Sequence, residues 1–202
     1  MASANANQAG VDKDATLHPD FFRFIAATYK DDFNGYRRDI LGMKPASWQD
    51  RVGNDLEEYR RVAVASGHGI GKTAFAASAI HWFISTRPRP AIVATANTET
   101  QLQTKLWREL NKINQQAKNK AWFNWNTERF SMLGDPTASA MAIPWSEHNA
   151  EAFAGTHEEH VLGVFDEASK IPKIIFTTFS GAMSTHGARW LILGNSTRSD
   201  GY

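Results

Sequence analysis

Three short stretches carry residue types whose spacing suits chemistry on a phosphate. Ser66-Gly67-His68-Gly69-Ile70-Gly71-Lys72-Thr73 follows the pattern G-x-x-x-x-G-K-[ST], with serine where the first glycine usually stands. Phosphates are dense negative charge, and a tight loop with few bulky side chains turns successive backbone N–H groups toward them. A helix starting at the end of that loop adds unpaired amides and the positive end of its dipole. Lys72 supplies a mobile cation for the β- and γ-phosphates, and the Thr73 hydroxyl a ligand for Mg2+. The eight residues therefore predict a site for ATP and Mg2+.

The second stretch is an apolar run, 161–165, that ends in Asp166 and Glu167. An isolated acid pair of this kind is most often a solvated strand end. Downstream of a phosphate loop, it has the Walker B arrangement. Asp166 would hold magnesium through its water shell, and Glu167 would polarise the attacking water as general base. A site that only binds nucleotide has no use for the second acid. The third stretch is Leu191-Ile192-Leu193-Gly194-Asn195-Ser196-Thr197-Arg198. In the sheet order of ATPases with an added catalytic glutamate, its strand lies between those of the other two motifs. Asn195, Ser196 and Thr197 would then sense the γ-phosphate.

These side chains need a scaffold, and the chain supplies one. Uncharged runs at 62–65, 91–95, 160–165 and 190–193 read as buried strands, with weaker strand signals at 130–133 and 140–143. Helical periodicity covers the segment after Lys72, an amphipathic stretch over 98–116, and 171–183. Strands alternating with helices predict an α/β fold, a three-layer P-loop NTPase domain with a mostly parallel sheet covered on both faces. Before it, Pro19, Phe33 and Ser47 (as N-cap) begin short helical patterns, with a break at Lys44-Pro45. The expected organisation is a disordered leader over 1–16, a small helical segment over 17–60 and the ATPase core over 61–202.

Composition narrows the class. The 202 residues are 42% hydrophobic and 21% charged, enough for one packed domain. Twenty-two basic side chains against twenty-one acidic ones neither demand nor exclude nucleic acid, so a DNA surface would have to be local. Cysteine is absent, which removes disulfides and thiolate metal sites. No apolar run is long enough to span a bilayer, and no signal peptide is evident, so the reading is a soluble, intracellular protein.

Taken in order, Trp48-Gln49, Ser66 to Thr73, Thr95-Ala96-Asn97-Thr98, Asn149-Ala150-Glu151-Ala152-Phe153-Ala154-Gly155, Asp166-Glu167-Ala168-Ser169 and Gly194-Asn195-Ser196-Thr197-Arg198 resemble the ATPase half of tailed-phage large terminases. The likeness runs from about residue 45 onward. It implies a motor that hydrolyses ATP to push double-stranded DNA into a capsid, in the cytoplasm of an infected bacterium. It also implies a homo-oligomeric ring on the capsid portal and a small terminase subunit as partner. By the same resemblance, Gln49 would contact adenine, and Ser196 and Thr197 would couple hydrolysis to movement. Two departures stand out. His68 occupies a position where many terminases have arginine, so the cation for the transferring phosphate would come from elsewhere, with Arg198 one candidate. The usual nuclease domain is expected to be absent, leaving a partial product. The rival readings are a helicase-like or repair ATPase acting on nucleic acid, and a catalytically weak nucleotide-binding fragment.

Other residues read as structural. Trp82 and Trp190 are expected in the core, and Trp122, Trp125 and Trp145 pack rather than line a partner surface. His148, His157 and His160 lack metal-ligand spacing. Lys105, Arg108, Lys112, Lys118 and Lys120 form either a solvated helix face or a phosphate-contacting one.

Overall fold

Residues 72–86 have almost no polar side, and every residue of helix α4 (Lys72–Thr86) from Phe75 onward is buried. A helix apolar all round has to be covered all round. The computed structural model, which describes residues 19–145 and 158–195, shows the cover. One side of α4 lies on the sheet. The other is packed by α1 (Pro19–Tyr29), α2 (Phe33–Asp39) and α6 (Arg108–Gln116).

The sheet has seven strands among the described residues. These are β1 (Arg61–Ala65), β2 (Ala91–Thr95), β3 (Phe123–Trp125), β4 (Arg129–Met132), β5 (Asp135–Ala142), β6 (Val161–Phe165) and β7 (Arg189–Gly194). Their order is β1-β7-β6-β2-β5-β4-β3. The five strands from β1 to β5 in that order run parallel, while β4 and β3 add an antiparallel edge. β7 lies between the phosphate-loop strand and the acid-pair strand, as expected. Register aligns their ends: Ala65 pairs with Gly194, Ile192 with Phe165, and Phe165 with Thr95. The residues that follow β1, β7 and β6 therefore emerge along one rim, the carboxyl edge where open α/β sheets bind ligands.

On the opposite face, α7 (Lys173–Ser180) sets Phe176 and Phe179 against Phe165 and Trp190 in a second apolar cluster. Gly163 is small of necessity here, since a Cβ would come within 2.4 Å of the Phe179 ring. With helices on both faces, the fold is a three-layer α/β P-loop NTPase domain with a mostly parallel sheet, carrying a small helical N-terminal segment.

That segment shares its core with α4. Phe33 packs on Phe75 and Trp82, with ring centroids 5.4 and 4.9 Å apart. Trp82 Nε1 donates to the Tyr29 carbonyl at 2.6 Å. Tyr36 donates to Ser85 Oγ (2.6 Å) and lies 2.8 Å from His81 Nδ1. Asn119 donates to both hydroxyls, and Asn114 Oδ1 is 3.1 Å from His81 Nε2. Burial holds His81 down at about 4, so its imidazole is neutral at physiological pH.

Several elements differ from the sequence expectation. β1 is an edge strand with only Val62 fully buried, not a covered one. Helix α3 (Ser47–Glu58) takes Ala46 as its N-cap and Ser47 as its first turn; the Gln49 side chain accepts the Ala46 N–H at 3.2 Å. The stretch 99–116 is one continuous helix, but α5 (Glu99–Gln101) joins α6 through a π-helical segment, Leu102–Trp107. Region 121–145 holds three strands, where two short ones were expected over 130–133 and 140–143. The helix expected over 171–183 is α7 followed by the 3-10 turn Gly181–Ser184. Trp82, Trp107 and Trp190 are fully buried and Trp122 nearly so; Trp125 and Trp145 pack partly buried against the two clusters. The 1–16 leader lies outside the described residues.

Candidate nucleotide site

The loop from Ser66 to Gly71 turns only because two of its three glycines adopt positive φ. Gly69 and Gly71 have φ of 77° and 90°, a region where a Cβ is strained, and Gly71 caps α4 in that conformation. The turn brings Lys72 back over its own loop. Its ammonium donates to the Ser66 carbonyl (3.1 Å) and hydroxyl (3.2 Å), the Gly67 carbonyl (2.6 Å) and Asn195 Oδ1 (2.7 Å). The Asn195 amide nitrogen faces the His68 ring at 3.1 to 3.2 Å.

Asp166 follows β6 and is buried, its N–H donating to the Thr95 carbonyl at 2.9 Å. Desolvation raises its carboxyl above the ordinary range, partly offset by the Glu167 N–H that it accepts at 3.0 Å. A buried carboxylate held this way favours a cation beside it. Glu167 adopts φ 54°, ψ 40°, a left-handed conformation uncommon outside glycine. Lys105 Nζ donates to its Oε1 at 3.1 Å, and Lys170 Nζ approaches Oε2 at 3.5 Å as a charge contact. Burial raises the Glu167 carboxyl, but Lys105 and then Lys170 outweigh it and hold the group below the usual range.

His68, Gly69, Ile70, Gly71, Lys72, Thr73, Asp166, Glu167 and Asn195 line one cavity of about 410 Å³, and Ser66 and Gly67 hold its lysine. Beyond Ala74, next in the chain after Thr73, the cavity has two members that the sequence did not assign to it, Lys105 and Glu109. Both come from the helix after β2, and periodicity gave no sign of the π segment that carries Lys105. Gln49 is buried behind the loop instead of lining the cavity. Its Nε2 donates to the Gly71 carbonyl (3.2 Å), and its Oε1 accepts from Ala46 and from buried Arg37 (3.4 Å). A second hollow of about 480 Å³ flanks the loop between Trp48, Arg51, Val52 and Ile70. Ser196, Thr197 and Arg198 lie outside the described residues, as do His148, the 149–155 segment and His157. His160 is largely buried and makes no metal cluster; among the described residues, no three His, Asp or Glu side chains converge for one. The donors available to Mg2+ are the Thr73 hydroxyl and the Asp166 carboxylate. These hard oxygens suit that ion when phosphate and water complete its shell.

The strand order, the glycine-bounded loop opening α4 and the acid pair at the end of β6 define a P-loop NTPase core. No family model matches the chain. Over 190 residues it is 26% identical to a probable large terminase subunit of Enterobacteria phage P7, covering 90% of this chain and 38% of that protein. Among solved structures it is similar to the large terminase of bacteriophage HK97 (TM-score 0.60, 12% identity, 75% of this chain and 33% of that one). It is also similar to the ATPase domain of the Thermus phage P74-26 large terminase (TM-score 0.56, 20% identity, 78% and 67%). A large terminase from a thermophilic bacteriophage, solved in complex with ADP, matches with a TM-score of 0.54 at 13% identity over 72% of this chain and 36% of that one. The likeness of this chain is thus to the ATPase domain of phage large terminases. It spans less than two-fifths of the curated relative's length. Among the described residues, no helix is long and apolar enough to cross a membrane.

Proposed function

We propose that this domain binds ATP with Mg2+ in the 410 Å³ cavity, hydrolyses it, and works as the motor domain of a large terminase that moves double-stranded DNA into a capsid. The observation that carries the reading is convergence. A phosphate-loop lysine, a buried aspartate, a glutamate and an asparagine from three separate chain segments meet at the carboxyl rim of adjacent parallel strands. The ADP bound by a terminase of similar fold supports a nucleotide there.

On this reading the loop amides and Lys72 hold the β- and γ-phosphates. Mg2+ bound by the Thr73 hydroxyl and Asp166 would neutralise charge on the phosphates. Glu167 takes the proton of the attacking water, and Asn195, touching Lys72 and His68, registers loss of the γ-phosphate. The base fits the hollow between Trp48, Val52 and Ile70, beside Gln49. Asn195, Ser196 and Thr197 relay the product state, and Arg198 is a candidate arginine finger. By the terminase likeness, the partners are a ring of further copies, the capsid portal, the small subunit and DNA, in the host cytoplasm.

The test is Mg2+-dependent ATP turnover with and without linear double-stranded DNA, for the parent chain and for Glu167→Gln. Turnover that rises with DNA and disappears in the variant is the expected result. DNA-independent turnover would favour a different coupled partner, and failure to bind ATP would remove the proposal.

A further inference from the structure

The cavity carries an imbalance of charge. Among the described residues, its lining includes three carboxylates, Glu109, Asp166 and Glu167, against two lysines, Lys72 and Lys105, and no arginine. Lys72 is committed to the loop carbonyls and Asn195. A nucleoside triphosphate brings the greatest charge density at its terminal phosphate. Without Lys105, the described side chains would offer that phosphate one lysine against three acids, leaving Mg2+ to supply the remaining countercharge. His68, where a fixed cation is common, is occupied by Asn195.

We propose that Lys105 is a second phosphate-binding lysine of this site, one that engages the terminal phosphate of a bound nucleoside triphosphate. The inference rests on the nucleotide reading above. Two features place the ammonium for this task. It reaches the cavity wall from the π-helical segment Leu102–Trp107, while Leu102, Leu106 and Trp107 of the same segment are buried in the core. π segments are uncommon and concentrate at functional sites. Its present contact is also exchangeable. The Lys105–Glu167 pair has a lysine side chain 51% exposed, and half-solvated ion pairs are weak. A terminal phosphate, more highly charged than one carboxylate, competes well for the same ammonium. Transfer of Lys105 from Glu167 to the phosphate would also free Oε1 of the base for a water proton only when a triphosphate is present.

The experiment uses the full chain and avoids turnover. Affinities for Mg2+ with ADP and with the non-hydrolysable β,γ-imido analogue of ATP are measured for the parent, Lys105→Met, Lys105→Arg and Lys170→Met. Lys105→Met should weaken the triphosphate analogue about tenfold or more and ADP by less than about threefold, a loss of one charge-assisted contact. Lys105→Arg should restore most of that loss. Lys170→Met serves as the control, because Lys170 touches Glu167 but does not line the cavity. It should leave the triphosphate-to-diphosphate ratio unchanged. An unchanged ratio in Lys105→Met, or an equal change in Lys170→Met, overturns the proposal while leaving the nucleotide site standing. A parent chain that binds neither nucleotide overturns both.

Discussion

Asn195 Oδ1 lies 2.7 Å from Lys72 Nζ, and the same amide touches the His68 ring through its nitrogen. One side chain at the end of β7 thus joins His68 within the phosphate loop to the lysine that follows it. Lys72→Ala should abolish ATP binding, since no other cation sits within the loop. Asn195→Ala should leave ATP affinity within about threefold and lower turnover about tenfold or more, because on the proposed reading it removes the group that would respond to the terminal phosphate. Equal losses in both quantities would make Asn195 a simple binding residue.

Glu167→Gln keeps the shape of the side chain and one acceptor oxygen for Lys105, but it loses the charge that pairs with Lys105 and Lys170 and cannot accept a proton. We expect ATP binding close to the parent's and hydrolysis reduced roughly 10²- to 10⁴-fold. Single-turnover measurement is the right readout, because it separates chemistry from product release. Normal turnover in the variant would take Glu167 out of the mechanism.

Gln49→Ala removes the donor to the Gly71 carbonyl and one partner of buried Arg37. Denaturant unfolding should show a loss of about 1–3 kcal/mol, the cost of a buried polar group left short of a partner. Nucleotide affinity should fall for ATP and GTP alike, through the loosened loop. A loss confined to ATP would assign Gln49 to the adenine.

Buried His81 sets a pH window. Its folded value of about 4 lies below the ordinary 6.5, so between those values the unfolded chain binds the proton that the folded chain refuses. The neutral ring's contribution is complete above pH 6.5 and is lost as the pH falls toward 4, on the order of 3 kcal/mol in all. His81→Gln, which keeps hydrogen-bonding capacity but does not titrate, should flatten stability between pH 7 and 5 relative to the parent. Parallel curves would mean that other groups carry the acid sensitivity.

The parallel strands and the site's lysine, acids and asparagine could be read from sequence because each rests on a local signal. Glycines at 69 and 71, an uncharged run ending at Phe165 and another ending at Gly194 need no tertiary information. What stayed hidden depends on contacts far apart in the chain. Lys105 reaches Glu167 across 62 residues, through a helical segment whose widened register leaves no mark on apolar spacing. Gln49 entered only through the family resemblance, as an adenine contact. Its amide, though, is engaged by Arg37 and Gly71, neither of which its local sequence names. β3 and the polar start of β5, at the antiparallel edge, carry too few buried residues to announce themselves.

Helix α4 begins at the phosphate loop and runs roughly 22 Å at 1.5 Å per residue, and toward its far end its own His81 and Ser85 bond Tyr36 and Asn119. In mechanical terms it is a strut clamped at its far end, with low compliance along its length. A load entering at Lys72 is poorly absorbed by sliding α4 through a close-packed surround. The displacement has to appear instead at the unclamped side of the cavity, where β6 and β7 end in Asp166, Glu167 and Asn195.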